Sequence, residues 1–336
     1  MNGLLFIDDE EGVRRSVVRA LKNEPYELYT SADGEEGIEF IKNNPSLLST
    51  VISDYRMPGL NGLDTLSAIG MINPEVTRII LTGYATMEAA ILATNEGIDG
   101  FLTKPFDNIE LRAKIREINV RKRLRQFVSQ QIYREIENST GYLKPTFHEV
   151  SILFSDIRGF TNMSQNISPD TLAEFLNNHY FSPLGEIAYN FNGTVDKHIG
   201  DSIMVAYGSP VLFHDDADRA VKSAIKMQEK ARQIDDMLGG RNGLRLRIGI
   251  GIATGKVFSG ILGSLRKKEY TSVGMAVNMA ARLQSRAKEG EILISESTFK
   301  GLSKDIDAEA LPPVTVKGIS EPVNIYKVRY SLLPDL

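Results

Sequence analysis

The chain has 336 residues, 24% of them charged and 42% hydrophobic, the composition of an ordinary globular protein with room for two cores rather than of a disordered, collagen-like or membrane-embedded chain. Its net charge of −4 excludes a chain that is basic throughout and built to coat nucleic acid, and the lack of cysteine excludes disulfides, thiolate metal sites and cysteine nucleophiles. Four histidines argue against a His-only metal cluster, and no apolar run approaches the roughly 20 residues that cross a bilayer, so a soluble, cytoplasmic protein without a signal peptide or membrane span is expected.

Residues 1–106 alternate short apolar runs, Leu4–Ile7, Thr50–Ser53, Arg78–Leu81 and Gly100–Leu102, with a weaker one near Tyr26–Thr30. Amphipathic stretches such as Val13–Leu21 and Gly34–Ile41 lie between them, the βαβα rhythm of a doubly wound parallel sheet covered on both faces. Such a sheet gathers its ligands beyond the carboxyl ends of its strands. Asp8 and Asp9 close the first run, Asp54 the second and Thr82 the third, and Lys104 follows Phe101-Leu102. Three carboxylates sharing an edge need an offsetting cation, and oxygen donors of this kind suit Mg²⁺. A carboxylate beside Mg²⁺ and Lys104 can attack phosphorus and become an acyl phosphate.

FIDDE, SDYRMPGLNG, LTGY and FLTKPF resemble, in order and spacing, the receiver domain of bacterial two-component response regulators, with the flavodoxin-like fold, over residues 1–120. The resemblance implies Asp54 as phosphoacceptor with a sensor histidine kinase as donor. It also implies Asp8, Asp9 and Asp54 around one Mg²⁺, Thr82 and Lys104 as sensors of the phosphoryl group, and Phe101 as an aromatic switch.

From Asn108 the pattern predicts one long polar helix, with Leu111, Ile115 and Ile118 at helical spacing and no Gly or Pro before Ser139. Leu111–Arg125 carries seven basic residues and one acidic. Without a groove-reading motif this stretch reads as a solvated helix face beside a dimer seam rather than a nucleic-acid or acidic-lipid contact, and nucleic acid is not an expected partner. Residues 108–147 are taken as a helical linker and dimerisation segment overlapping the last receiver helix, with a break at Asn138–Gly141 and Pro145.

A second unit at 148–330 opens with a strand at Glu149–Phe154. Ser168-Pro169-Asp170 starts a helix over Thr171–Phe191, and Thr194–His198 with Ser202–Tyr207 make a hairpin around Ile199-Gly200-Asp201. A helix at about Asp215–Met237, a strand at Leu244–Ala253, a helix at Ala276–Ala287 and strands near Glu291–Ile294 and Val323–Val328 complete an antiparallel α+β layout. Asp156 ends one strand and Asp201 tips the hairpin. On neighbouring strands the two can grip paired divalent ions, the usual arrangement for in-line displacement at phosphorus. Asn278 and Arg282, at i and i+4, share a helix face that can orient a sugar and brace phosphate oxygens, and Lys317 can meet a terminal phosphate.

FSDIRGFT, VDKHIGDSIM, EYTSVGMAVNMAARLQ and TVKG together resemble the catalytic domain of class III nucleotidyl cyclases, of ferredoxin-like α+β fold, over about residues 127–330. The resemblance implies two Mg²⁺ or Mn²⁺ ions held by Asp156, Ile157 and Asp201, substrate contacts from Phe160 and Thr161, a ribose-orienting Asn278, a phosphate-bracing Arg282 and a triphosphate-holding Lys317. It further implies a site shared across a homodimer. Lys197 matches the family's adenine-reading lysine, and Thr271 stands where another branch has aspartate, a threonine-type subgroup that includes bicarbonate-responsive enzymes. ATP is the expected substrate, cyclic AMP and pyrophosphate the products, and bicarbonate a candidate effector. The family's Gly-Asp before Val-Asn is replaced here by Gly274-Met275-Ala276. A non-catalytic response regulator that only binds nucleotide or a protein, and a DNA-binding regulator using the basic connector, are the alternatives.

Overall fold

The computed structural model describes residues 2–83, 97–125, 127–139, 143–240, 243–264, 266–314 and 322–330. The chain divides into two compact units, Met1–Phe127 and Val128–Leu336.

In the first unit β1 (Gly3–Ile7), β2 (Glu27–Ser31), β3 (Leu48–Asp54), β4 (Thr77–Thr82) and β5 (Gly100–Thr103) form a parallel sheet in the order β2-β1-β3-β4-β5. Every residue of β1 is buried, as an inner strand covered on both faces requires. On one face α1 (Glu11–Leu21) and α4 (Asn108–Arg125) pack Val17, Leu21, Leu111, Ile115 and Ile118 against Leu4, Ile52 and Ile79. On the other, α2 (Gly34–Asn43) and α3 (Gly62–Ile72) pack Ile41, Leu66 and Ile69 against Leu5, Val51 and Ile80. Asp33 and Asn61 cap α2 and α3 by accepting from the Glu36 and Asp64 amides. The pairing of Ile7 with Ser53, Asp54 with Leu81 and Thr82 with Thr103 aligns the strand ends, so the residues that follow them share one edge.

The connector differs from the single long helix expected. Helix α4 ends at Arg125, and α5 (Gln130–Asn138) starts afresh behind Ser129, whose hydroxyl accepts from the Ile132 amide. The basic stretch of α4 is only partly solvated. Lys122 Nζ donates to Val76 O at 2.6 Å and Asp99 Oδ2 at 2.8 Å, and Arg121 donates to Asp99 O. Helix α5 belongs to the second unit: Ile132 is buried and Gln131 Nε2 donates to Gly193 O at 2.7 Å. By its contacts the second unit begins at Val128, ahead of the break expected at 138–145.

The second unit is built on β6 (Thr146–Ile157), β7 (Thr194–Ile199), β8 (Ser202–Tyr207), β9 (Ile248–Gly263), β11 (Ile292–Ser295), β12 (Asp307–Val314) and β13 (Val323–Arg329), in the order β12-β13-β11-β9-β6-β8-β7, with β10 (Lys268–Val273) paired to β9. The sheet is antiparallel except where β11 runs parallel to β9. A parallel pair needs a crossover, and α10 (Met275–Arg286) supplies it. Helix α10 covers one face through Ala276, Met279, Ala280 and Leu283. The opposite face is covered by α7 (Pro169–Phe175), α8 (Ser182–Asn190) and α9 (Asp216–Leu238), with α6 (Phe160–Ser164) following β6 and α11 (Glu296–Lys300) following β11.

The helix expected over Thr171–Phe191 is present but widens into a π-helical segment at Leu176–Phe181. Pro183 has no N–H to give the preceding turn and its ring crowds that turn's carbonyl, so the widened segment absorbs it. Buried Tyr180 on this segment donates its hydroxyl to Ser155 Oγ at 3.0 Å. Among the described residues no helix is long and apolar enough to cross a membrane.

Candidate functional site

At the carboxyl edge of the first sheet, Asp8 and Asp54 are buried and Lys104 lies between them, its Nζ 3.0 Å from Asp8 Oδ2 and 2.5 Å from Asp54 Oδ1. Burial pulls the Lys104 ammonium toward a lower pKa, but its bonds to Asp54 and Asp8 outweigh burial and raise it above the ordinary lysine value. The free Asp54 oxygen accepts from the Arg56 amide at 2.9 Å. Gly62 approaches so closely that a Cβ there would stand 2.0 Å from Asp54 O. Thr82 is buried at the end of β4, and Phe101 packs partly buried against the α2–α3 face. Asp9 is exposed, its carbonyl accepting from Arg14, and stands outside the Lys104 contact. Carboxylates and a lysine of this kind fit a divalent cation and a phosphoryl group by donor chemistry.

In the second unit the pleat sends Leu153, Ser155 and Ile157 toward the α8–α9 face and Phe154 toward α10, which puts Asp156 on the α10 side. Asp156 pairs across the sheet with Ser202, the residue after Asp201. Ser202 donates to Asp156 Oδ2 at 2.6 Å, and Arg158 donates to Oδ1 at 2.8 Å. The Asp201 carboxyl is held above the usual carboxylate range, first by burial and then by the negative charge of Asp156, with the Ile157 amide acting in the opposite direction. Gly200, at φ +62°, makes the turn that presents Asp201. Two hard oxygen donors, one at the end of β6 and one in the turn leading into the adjacent β8, suit Mg²⁺ or Mn²⁺. Among the described residues no group of three or more Asp, Glu or His side chains forms a denser metal cluster.

Lys197 and Thr271, far apart in sequence, are brought together by Asp196, which sequence reading passed over. Thr271 Oγ1 donates to Asp196 Oδ1 at 2.9 Å and Oδ2 at 2.8 Å, and Lys197 Nζ lies 3.5 Å from Asp196 Oδ1 and 3.1 Å from Glu269 Oε2. Burial lowers the Lys197 pKa, but Glu269 and Asp196 outweigh it and raise the value. The register between β7 and β8 shifts between Val195 and Lys197, leaving Asp196 as the extra residue of a bulge. Only that irregularity could have singled it out, and a register is invisible in one sequence.

Asn278 is exposed and Arg282 half-buried on the outer side of α10. The helix sits tight on the sheet, since a Cβ at Gly251 would stand 2.1 Å from Gln284 N and 2.4 Å from Ala280 O. Gly159, at φ +75°, turns the chain from β6 into α6, where Phe160 packs against the core and Thr161 is exposed. Lys317 lies outside the described residues.

The family model for the response regulator receiver domain matches residues 4–116, and that for the adenylate and guanylate cyclase catalytic domain matches residues 143–329, more than half of the chain. The terminal-differentiation specific adenylate cyclase of Dictyostelium discoideum is 38% identical over 53% of this chain and 8% of its own length. The adenylate cyclase of Anabaena cylindrica is 37% identical over 54% of this chain and 36% of its own length, so the chain spans well under two thirds of these relatives. Among solved structures, the adenylyl cyclase CyaB from P. aeruginosa superposes with a TM-score of 0.54 at 35% identity, covering 56% of this chain and 97% of that one. The guanylyl cyclase Cya2 gives 0.53 at 34%, covering 55% and 94%. The chain belongs to the class III adenylate and guanylate cyclase family, with a response regulator receiver domain preceding its cyclase domain.

Proposed function

We propose that this protein is an adenylyl cyclase regulated by phosphorylation of Asp54, converting ATP to 3′,5′-cyclic AMP and pyrophosphate at a site shared by two copies of the chain. The observation that carries the reading is the placement of Asp156 and Asp201: Asp156 on β6 pairs with Ser202 of β8, and Asp201 is the turn residue just before Ser202. Mg²⁺ or Mn²⁺ held there would make the ribose 3′-oxygen a better nucleophile and offset the charge on the leaving pyrophosphate. The chain's own part is positional. Lys197 and Thr271 hold the adenine edge, Asn278 orients the ribose, and Arg282 braces the α-phosphate oxygens while the 3′-hydroxyl gives its proton to solvent, its oxygen bonds to the α-phosphorus and the bond from that phosphorus to pyrophosphate breaks.

Asn278 lies exposed on α10, which supports a role in completing the site of a second copy rather than its own. One chain alone is then inactive. In the receiver unit Asp54 takes a phosphoryl group from a sensor histidine kinase, with Asp8 and Asp9 toward Mg²⁺ and Thr82, Lys104 and Phe101 responding. Lys104 already holds Asp54 and Asp8 in one contact, so an acyl phosphate there must rearrange it. The bicarbonate expectation rests on Thr271 alone and forms no part of this reading.

The test is purified full-length protein with Mn²⁺ and either ATP or GTP, and the Asp54→Asn variant with and without a small-molecule phosphodonor. Cyclic AMP from ATP, changed in rate by the phosphodonor only when Asp54 is present, is the expected result. No cyclic nucleotide from either substrate, for a folded dimer, would replace catalysis with binding alone, and cyclic GMP as the main product would overturn the substrate assignment.

A further inference from the structure

The Asp196 carboxylate is mostly buried behind β7 and β10 and is surrounded by donors: the Thr271 hydroxyl, the Ser272 amide at 3.2 Å and the Lys197 ammonium. A threonine hydroxyl has one proton and two acceptor lone pairs. At 2.9 and 2.8 Å from the two Asp196 oxygens, Thr271 shares that single proton between them, so toward anything else it can only accept. The Lys197 ammonium has three protons. Asp196 and Glu269 both lie within ion-pair distance of it, and having no lone pair it can only donate toward a ligand.

We infer that Asp196 is the positioning residue for base choice, fixing Thr271 as an acceptor and holding the always-donating Lys197 beside it, so that the pair reads an adenine edge and rejects a guanine one. This inference rests on the adenine reading of the same site and deepens it. Adenine offers an amine donor at C6 and an acceptor at N1, the complement of an acceptor and a donor, whereas guanine presents a carbonyl acceptor at C6 and an N1–H. Were Asp196 unable to accept, the Thr271 proton could turn outward to guanine's carbonyl and the site would lose its polarity. The bulge in β7 explains how one strand delivers both parts: the extra residue turns Asp196 toward β10, and Lys197 follows it into the pairing with Met204.

The test uses the full-length chain with Mn²⁺, ATP, GTP and purine riboside 5′-triphosphate, which lacks the exocyclic amine. In wild type, kcat/KM is expected to favour ATP over GTP. In Asp196→Ala, which leaves no side-chain acceptor for Thr271, that ratio is expected to fall by at least about tenfold, mainly through the KM for ATP, and adding Thr271→Val is expected to change it by less than about twofold further, because Asp196 acts through Thr271. A folded Asp196→Ala protein, judged by a cooperative unfolding transition, that keeps the full ATP preference overturns the role of Asp196 and leaves the adenine reading standing. Wild type that prefers GTP overturns the adenine reading itself. Should Asp196→Ala fail to fold, wild type decides: a KM at least about tenfold higher for purine riboside triphosphate than for ATP supports an accepting Thr271, and equal use of the two refutes it.

Discussion

Ser202 donates its hydroxyl to Asp156 Oδ2 at 2.6 Å, directly across the β6–β8 pairing, and Ser202 is also the neighbour in sequence of Asp201. One residue thus fixes the rotamer of the first carboxylate and the strand position of the second. Partners of this kind tune ligands rather than hold the ion. Ser202→Ala is expected to raise the Mn²⁺ concentration for half-maximal cyclase activity by about tenfold while turnover at saturating metal falls less. An unchanged metal titration would show that Asp156 needs no such support.

Asp156→Asn and Asp201→Asn are each expected to lower cyclic AMP formation by at least about a hundredfold. If the site is shared between two chains, mixing Asp156→Asn with Arg282→Ala protein lets one intact site form per mixed dimer, and activity should return. The readout is the rate of each variant alone against the mixture. A mixture as inactive as its parts would place the whole site within one chain.

Lys104 is three-quarters buried and offsets two carboxylates at once. Removing it leaves Asp8 and Asp54 facing each other with no cation between them, so Lys104→Ala is expected to destabilise the receiver unit by about 1–3 kcal/mol near neutral pH. Urea unfolding followed by a probe confined to that unit measures the loss. A variant as stable as wild type would mean the carboxylates are offset by another group.

Gly251→Ala is a packing test aimed at function. The added methyl would meet Gln284 N and Ala280 O, both backbone atoms of the helix that carries Asn278 and Arg282, so the helix must shift. A loss of about 1–3 kcal/mol is expected. A fall in kcat larger than the change in KM would accompany it, read by chemical denaturation alongside steady-state assays.

Glu291 at the start of β11 gives a pH-dependent prediction. Burial raises its pKa, but the Lys288 amide at 3.0 Å and the Lys327 ammonium at 2.9 Å outweigh burial and lower it below the ordinary glutamate value. A carboxyl lowered in the folded state stabilises above its unfolded pKa, and that contribution is lost as pH falls through the folded one. Glu291→Gln is therefore expected to cost about 1 kcal/mol at pH 7, and the difference from wild type should shrink as pH falls below the ordinary glutamate range and through the lowered folded pKa. A gap that persists in acid would assign the effect to packing.

The receiver edge was legible because each of its groups directly follows a run of β-forming residues: Asp8 after Leu4–Ile7, Asp54 after Val51–Ser53 and Thr82 after Ile79–Leu81. A parallel sheet then aligns them without further information. Asp156, Asp201, Asn278 and Arg282 were legible for a similar reason, being set by strand ends, a glycine turn and a helical repeat. The connector was not, because Ser129 supports both a continuing helix and a new cap, and burial of Ile132 in the second unit decides between them. The π-helical segment ahead of Pro183 was not legible either, because Pro183 marks where a helix is disturbed but not whether it kinks, breaks or widens there.

Sequence by itself determined which side chains are present and, for Asp8, Asp54, Thr82, Asp156, Asp201, Asn278 and Arg282, which strand end, turn or helix each would occupy, since periodicity, turn residues and motif spacing are local properties of the chain. The strand Lys268–Val273 that carries Thr271, by contrast, was not among the expected elements. The tertiary structure alone decided that Asp196 joins Lys197 to Thr271 and that Ser202 holds Asp156. Those contacts depend on a bulge and on strand register, and register is set by how whole faces of the sheet bury against their helices rather than by any neighbouring residue.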